Sequence, residues 1–250
     1  MKRLFIFPRV IGTSATCALL GLASEHGVGR DGTLLIMATK IQVPVLEGSY
    51  VRLEPLARGH VDGLVAASAA DPSLSLYQWS PVPRGKSAAE KYVDTALAWQ
   101  EAGTAAPFAI VRLSDGAVIG STRFWLIEYW AWPPGHACYG RGAPDACEIG
   151  YTWFSATAIR TPANTESKLL MLTYAFENWK VLRVCLHTDV RNARSRAAIE
   201  RIGGQFEGIL RAHRMAADFI PRDSARYSII ASEWPAVKER LIEMRDRRRG

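Results

Sequence analysis

The stretch CEIGYTWFSATAIRTPANTESKLLMLTYAFENW, Cys147 to Trp179, decides the fold. CEIGYTWF is a short run rich in aromatic and branched residues and reads as a strand. RTPANTESKLL then opens a helix whose apolar stripe is Leu169, Leu172, Phe176 and Trp179. VLRVCLHTD, Val181 to Asp189, follows as a second strand. A strand, a helix and a strand in this order form a crossover that pairs the two strands in parallel. The turn between the first strand and the helix is where many nucleotide-using proteins hold a phosphate with glycines. Here the turn holds no glycine, and Pro162 stands in it. A helix start still leaves about four backbone N–H groups unpartnered beside a partial positive charge, so it suits an anion without glycine. Asn164 is placed to cap the helix, leaving the N–H groups of Thr165, Glu166 and Ser167 at its mouth. Pro162 removes a donor, while Arg160 adds a fork that fits a diphosphate, with hydroxyls on Thr161 and Thr165 nearby. On these residues alone, an anion cradle and a plain capped helix both remain open.

Working outward, SYVRLEPL (Ser49–Leu56) alternates as a strand, and ARGHVDGLVAASAA reads as a short helix. GKSAAEKYVDTALAWQEAG is a longer helix, with Ser87 and Glu90 as a capping box and Gly103 as its stop. Asp115-Gly116 marks a hairpin inside PFAIVRLSDGAVIGSTRFWLIEYW. AWPPGHACYGRGAPDA is a long Pro/Gly-rich loop. After the crossover come a helix in NARSRAAIERIGG ending at Gly203, strands in GQFEGILRAHRM and DSARYSIIAS, and a closing helix in SEWPAVKERLIEMRDRRR. An antiparallel meander feeding a crossover predicts an α/β (α+β) fold: a mixed, mostly antiparallel sheet of about seven strands, helices on both faces, and an added C-terminal helix.

The 250 residues are 48% hydrophobic and 22% charged, which places the chain among globular proteins able to bury a core without disulfides or metals. Residues 1–36 break from this composition: a basic start, two apolar patches and Arg9 interrupting them make a poor secretory signal. They read as a disordered extension or a wrongly included upstream start, with a single domain over residues 37–250. Cys17, Cys138, Cys147 and Cys185 form no C-x-x-C pair and no zinc spacing, so they read as free thiols of a cytoplasmic protein, with no metal site. No apolar run approaches a bilayer span, so no membrane partner is expected. The net charge of +7 sits largely at the termini, and no nucleic-acid reading element accompanies it.

EIGYTW, NTESKLL and the N-x-x-S of Asn192 to Ser195 followed by RIGG together resemble the GNAT superfamily of acetyl-CoA-dependent N-acetyltransferases, over about Ser49 to Ser232. The similarity is greatest to the branch that holds the ribosomal-protein N-terminal acetyltransferases. In that family the phosphate loop reads Q/R-x-x-G-x-G/A; here its glycine positions fall on Pro162 and Asn164, and its basic position on Ile159. RTPANTE is therefore a variant of the cradle. The resemblance implies acetyl-CoA along Ile149, Gly150 and Tyr151, its diphosphate at Arg160, Thr161, Asn164 and Thr165, and its pantetheine arm at Asn192. It implies Ser195 as the hydroxyl that protonates the departing thiolate.

An ammonium cannot attack a thioester, so a base is expected. Glu148, which opens the strand, matches the glutamate base of several members of the superfamily. His187 and Asp189, at the end of the neighbouring strand, are the next candidates. Trp125, Tyr129, Trp130, Trp132 and Tyr139 wall an acceptor pocket or staple the long loop. The function expected is acetyl transfer to a primary amine, on a protein N-terminus or a small molecule, by a monomer or homodimer. The alternative is a non-catalytic acyl-CoA-binding module of the same fold.

Overall fold

The computed structural model describes residues 41–70, 82–216 and 219–247. The expected extension over residues 1–36 and the domain start at Met37 lie outside the described residues. Eight strands form one sheet in the order β1-β2-β3-β4-β5-β6-β8-β7. They are β1 (Leu46–Glu47), β2 (Val51–Pro55), β3 (Ala105–Arg112), β4 (Val118–Glu128), β5 (Ala146–Phe154), β6 (Arg183–Asp189), β7 (Gln205–Met215) and β8 (Pro221–Ile230). Seven of these are the strands expected; the short β1 is additional. Among the described residues only β5 and β6 pair in parallel, as the crossover requires.

Among the described residues five α-helices cover the sheet: α1 (Val61–Ala69), α2 (Gly85–Glu101), α3 (Ala163–Thr173), α4 (Ala193–Arg201) and α5 (Trp234–Asp246). Strand alternation separates two cores. Ala109 packs with Leu64, Val93 and Ala96 beneath α1 and α2. Its neighbours Phe108 and Ile110 join Met171, Leu172 and Leu241 on the side of α3 and α5. Helices thus lie on both faces. No helix among the described residues is long and apolar enough to cross a membrane.

Several local expectations hold. Gly103 takes φ +68° just past α2, the left-handed geometry that ends a helix. Leu169, Leu172, Phe176 and Trp179 are all buried, although the helix widens to a π turn over Tyr174–Trp179. Two capping assignments do not hold. Helix α2 begins at Gly85, so Ser87 lies inside it and caps nothing. Helix α3 takes Pro162 as its N-cap, so Asn164 is its second residue. Proline's fixed φ suits a helix start and its missing N–H costs nothing there. Thr161 does the capping instead: its Oγ1 accepts from the Ala163 N–H at 3.3 Å and donates to the Ala158 carbonyl at 2.7 Å.

Glu166 ties α3 to the sheet edge. Its carboxylate accepts from the N–H groups of Ser49 at 2.9 Å, Tyr50 at 2.6 Å and Val51 at 2.7 Å. A Cβ on Gly48 would stand 2.5 Å from that carboxyl carbon, so only glycine fits there.

Candidate acetyl-CoA cleft

Strands β5 and β6 pair only over Ala146–Glu148 with Arg183–Cys185. Beyond Glu148 they separate, and the β6-facing backbone groups of Ile149 onward are left without a strand partner. On its other side β5 carries an irregularity: the register with β4 shifts between Ser121 and Arg123. Tyr151 sits there at φ +53°, in the left-handed region. Such a conformation costs a non-glycine residue roughly 1–3 kcal/mol and collects at functional sites. The gap opens a cleft of about 650 Å³.

The site residues expected from the sequence line this cleft except Thr165 and the alternative candidate Asp189. Thr165 is buried, and its Oγ1 accepts from Arg201 at 3.2 Å. Arg160 is exposed at the cleft mouth, also in the left-handed region at φ +65°. The first helical N–H, at Ala163, is taken by Thr161, and Glu166 N–H bonds Pro162 O at 2.9 Å. The N–H groups left at the mouth of α3 are therefore those of Asn164 and Thr165, not those of Glu166 and Ser167. Across the cleft, Asn192 caps α4 by accepting from the Ser195 N–H at 3.0 Å.

The cleft lining is strongly cationic. Arg160, Lys168, Arg194, Arg201, Arg214 and Arg222 face it against one carboxylate, Glu148. Lys168 is nearly buried, and its Nζ donates to Thr152 Oγ1 at 2.7 Å. Burial lowers its pKa to about 7.

Glu148 lies at the inner end of the cleft and is 3% exposed. Arg214 Nη2 reaches its Oε2 at 3.0 Å. His187 Nδ1 lies 3.0 Å from the same oxygen, but off the hydrogen-bonding direction, so this contact is electrostatic proximity. Burial pushes the Glu148 carboxyl up, but His187 and Arg214 together hold it below the ordinary glutamate value. Asp189 is outside the cleft lining: it accepts from Arg191's backbone at 2.9 Å and from its guanidinium at 2.7 Å.

The loop aromatics divide into two groups. Asp145 accepts from Trp130 N at 2.7 Å, Trp132 Nε1 at 2.8 Å and Arg141 at 2.8 Å, which staples the loop. Trp125 instead packs on Trp99 at 4.4 Å and Tyr151 at 5.5 Å, close to the cleft.

Sequence reasoning missed Lys168 and Arg214. Lys168 stands one helical turn after Asn164, a spacing that places both on one face, so it was findable once the helix start was known. Arg214 comes from a distant strand and leaves no local signal.

A strained, irregular strand splayed from its parallel neighbour, with an open helix start at the cleft mouth, defines an acyltransferase of the GNAT class. The sequence profile of the acetyltransferase (GNAT) domain matches residues 51–205, and the chain belongs to that family. A GCN5-related N-acetyltransferase from Brucella melitensis is 30% identical with a TM-score of 0.68, over 82% of this chain and 86% of that one. RimJ of Mycobacterium smegmatis, solved with CoA-disulfide, is 21% identical with a TM-score of 0.63, over 80% and 91%. An acetyltransferase of Salmonella typhimurium that modifies the N-terminal serine of ribosomal protein L7/L12 is 18% identical with a TM-score of 0.60, over 74% and 98%. Among proteins of curated function, none matches.

Proposed function

We propose that the protein transfers the acetyl group of acetyl-CoA to a primary amine by direct attack within a ternary complex. The observation that carries this is the cleft itself: unpaired β5 backbone from Ile149 onward, closed by a wall of six cations and one acid. Acetyl-CoA presents an extended amide-bearing arm and a polyanionic end, and the cleft offers a partner for each. The arm would pair with the free edge of β5 at Ile149, Gly150 and Tyr151. The diphosphate would take the N–H groups of Asn164 and Thr165, the Arg160 fork and the Thr161 hydroxyl. RimJ, which shares the fold, is solved with a CoA derivative, which supports CoA as the ligand of this fold.

The thioester would lie near Asn192 and Ser195. Free N–H groups of β5 would stabilise the charge that develops on the carbonyl oxygen. Glu148 would assist removal of the amine proton. Its carboxylate is ionised through the neutral range, and Arg214 and His187 hold it in place beside the cleft. Ser195 would return a proton to the thiolate, so the step releases CoA–SH and an acetamide.

The test is a thiol-release assay with acetyl-CoA against N-terminal peptides of ribosomal proteins, aminoglycosides, polyamines and amino acids. Release that depends on one class of amine is the expected result. Tight acetyl-CoA binding without release for any amine would leave the non-catalytic binding module as the correct reading.

A further inference from the structure

A second cavity, of about 310 Å³, lies beneath α2 and is lined by Tyr92, Trp99, Arg123 and Tyr151, among others. Tyr151 also lines the acetyl-CoA cleft, so the two cavities share one side chain as a wall. Arg123 is 1% exposed, and three aromatic rings pack around it. Its guanidinium carbon stands 4.2 Å from the Tyr151 ring centre, 5.0 Å from Tyr92 and 5.2 Å from Trp99. No carboxylate pairs with it among the described residues, and its buried Nε and Nη2 have no hydrogen-bond partner.

A third unmatched donor is close by. Trp125, two residues further along β4 and tilted against Trp99, has a buried Nε1 with no partner among the described residues. The orphaned groups are thus all donors. Ring faces repay part of the cost of burying a guanidinium, but a buried cation without an anion, and buried N–H groups without acceptors, remain expensive. The group that removes this cost is anionic, accepts only, and is planar enough to meet a guanidinium fork: a carboxylate.

Resting on the acetyl-transfer reading above, we infer that the acceptor amine carries a carboxylate and that Arg123, with Trp125, is the site that selects it. Arg123 pairs in register with Gly150, beside the irregularity that turns Tyr151. An acceptor spanning the Tyr151 ring would then hold its carboxylate on Arg123 and offer its amine to the thioester in the cleft. This limits acceptors to amines whose carboxylate lies several bonds away: ω-amino acids, or peptide N-termini with an acidic residue close behind.

The test uses pairs of acceptors that differ by one carboxylate: 6-aminohexanoate against 6-aminohexanamide, and Ala-Glu-Ala-amide against Ala-Gln-Ala-amide. Each is titrated calorimetrically into the full chain with and without CoA, and assayed for thiol release with acetyl-CoA. In one pair the acid should bind, and turn over, roughly 10- to 150-fold better, the range for a charge-assisted contact. Arg123→Met should reduce that preference to about one, while acetyl-CoA affinity and melting temperature are kept. Arg123→Lys, which keeps the charge without the fork, should retain only part of the preference. Trp125→Phe should lower it by a smaller factor, and this variant decides the matter if Arg123→Met fails to fold. Equal binding within both pairs, no binding of either acid, or a preference that survives both Arg123→Met and Trp125→Phe would overturn the inference. A protein that binds no acetyl-CoA would defeat the acetyl-transfer reading alone, because acid-against-amide binding without CoA still tests Arg123.

Discussion

Helices α3 and α4 both point their N-termini at one cleft, yet they treat their first turns in opposite ways. At α4, Asn192 turns its own side chain onto the Ser195 N–H and satisfies it internally. At α3, Thr161 takes only the Ala163 N–H, so the N–H of Asn164 remains at the cleft mouth beside Arg160, with that of the buried Thr165 one residue further in. A closed helix start stabilises the fold, whereas an open one leaves its dipole and donors for an anion. This difference supports the proposal that α3 takes the diphosphate while α4 positions Ser195.

Four changes would break or sharpen this division. The largest effect belongs to the chemistry that the two helices flank. Glu148→Gln keeps the shape and removes the carboxylate, and turnover should fall about 10²-fold with acetyl-CoA affinity unchanged. Steady-state rates beside calorimetry separate the two, and full activity would move the base to His187.

Arg160→Ala comes next. It should weaken acetyl-CoA by roughly 10- to 150-fold, the equivalent of about 1.5–3 kcal/mol for a charge-assisted contact. Wild-type binding should fall more steeply with salt than the variant's.

The third concerns Lys168, inside the cleft one turn beyond the open start. Its folded pKa of about 7 lies below its unfolded value. Below pH 7 both states are charged and the buried ammonium destabilises the fold. From pH 7 to about 10.5 the unfolded state binds the extra proton, so stability rises with pH across that window. Denaturant unfolding should show this rise in the wild type and lose it in Lys168→Met. A parallel pH dependence in both proteins would place the Lys168 titration elsewhere.

The smallest effect is expected at the closed helix. Asn192→Ala should cost about 1 kcal/mol of stability, seen in chemical denaturation, and change acetyl-CoA affinity much less than Arg160→Ala does. A loss of affinity as large as that of Arg160→Ala would show that α4 also holds the anionic end.

Much of this was legible in the sequence, and the exceptions have physical causes. Periodicity and turn residues marked seven strands and the crossover, because burial on one face imposes a period that composition cannot hide. Strand β1 is two residues long and carries no period at all. The start of α3 was misplaced because Asn is a strong cap by itself, and the Pro162–Thr161 pair that outcompetes it acts through the preceding 3-10 turn at Ala158. Glu148 was visible from its place in EIGYTW, but its partners Arg214 and His187 arrive from β7 and β6. Arg123 showed only as a charge inside the strand GSTRFW; the rings of Tyr92 and Trp99 that enclose it come from α2. Contacts within one element could be read locally, and contacts between elements could not.

The most direct measurement is a calorimetric titration of acetyl-CoA into the wild type, Arg160→Ala and Asn192→Ala under one buffer. If the open start of α3 holds the diphosphate, Arg160→Ala binds roughly 10- to 150-fold more weakly, while Asn192→Ala, which touches the arm and not the anionic end, loses far less. An unchanged dissociation constant for Arg160→Ala, or equal losses in both variants, would contradict the assignment.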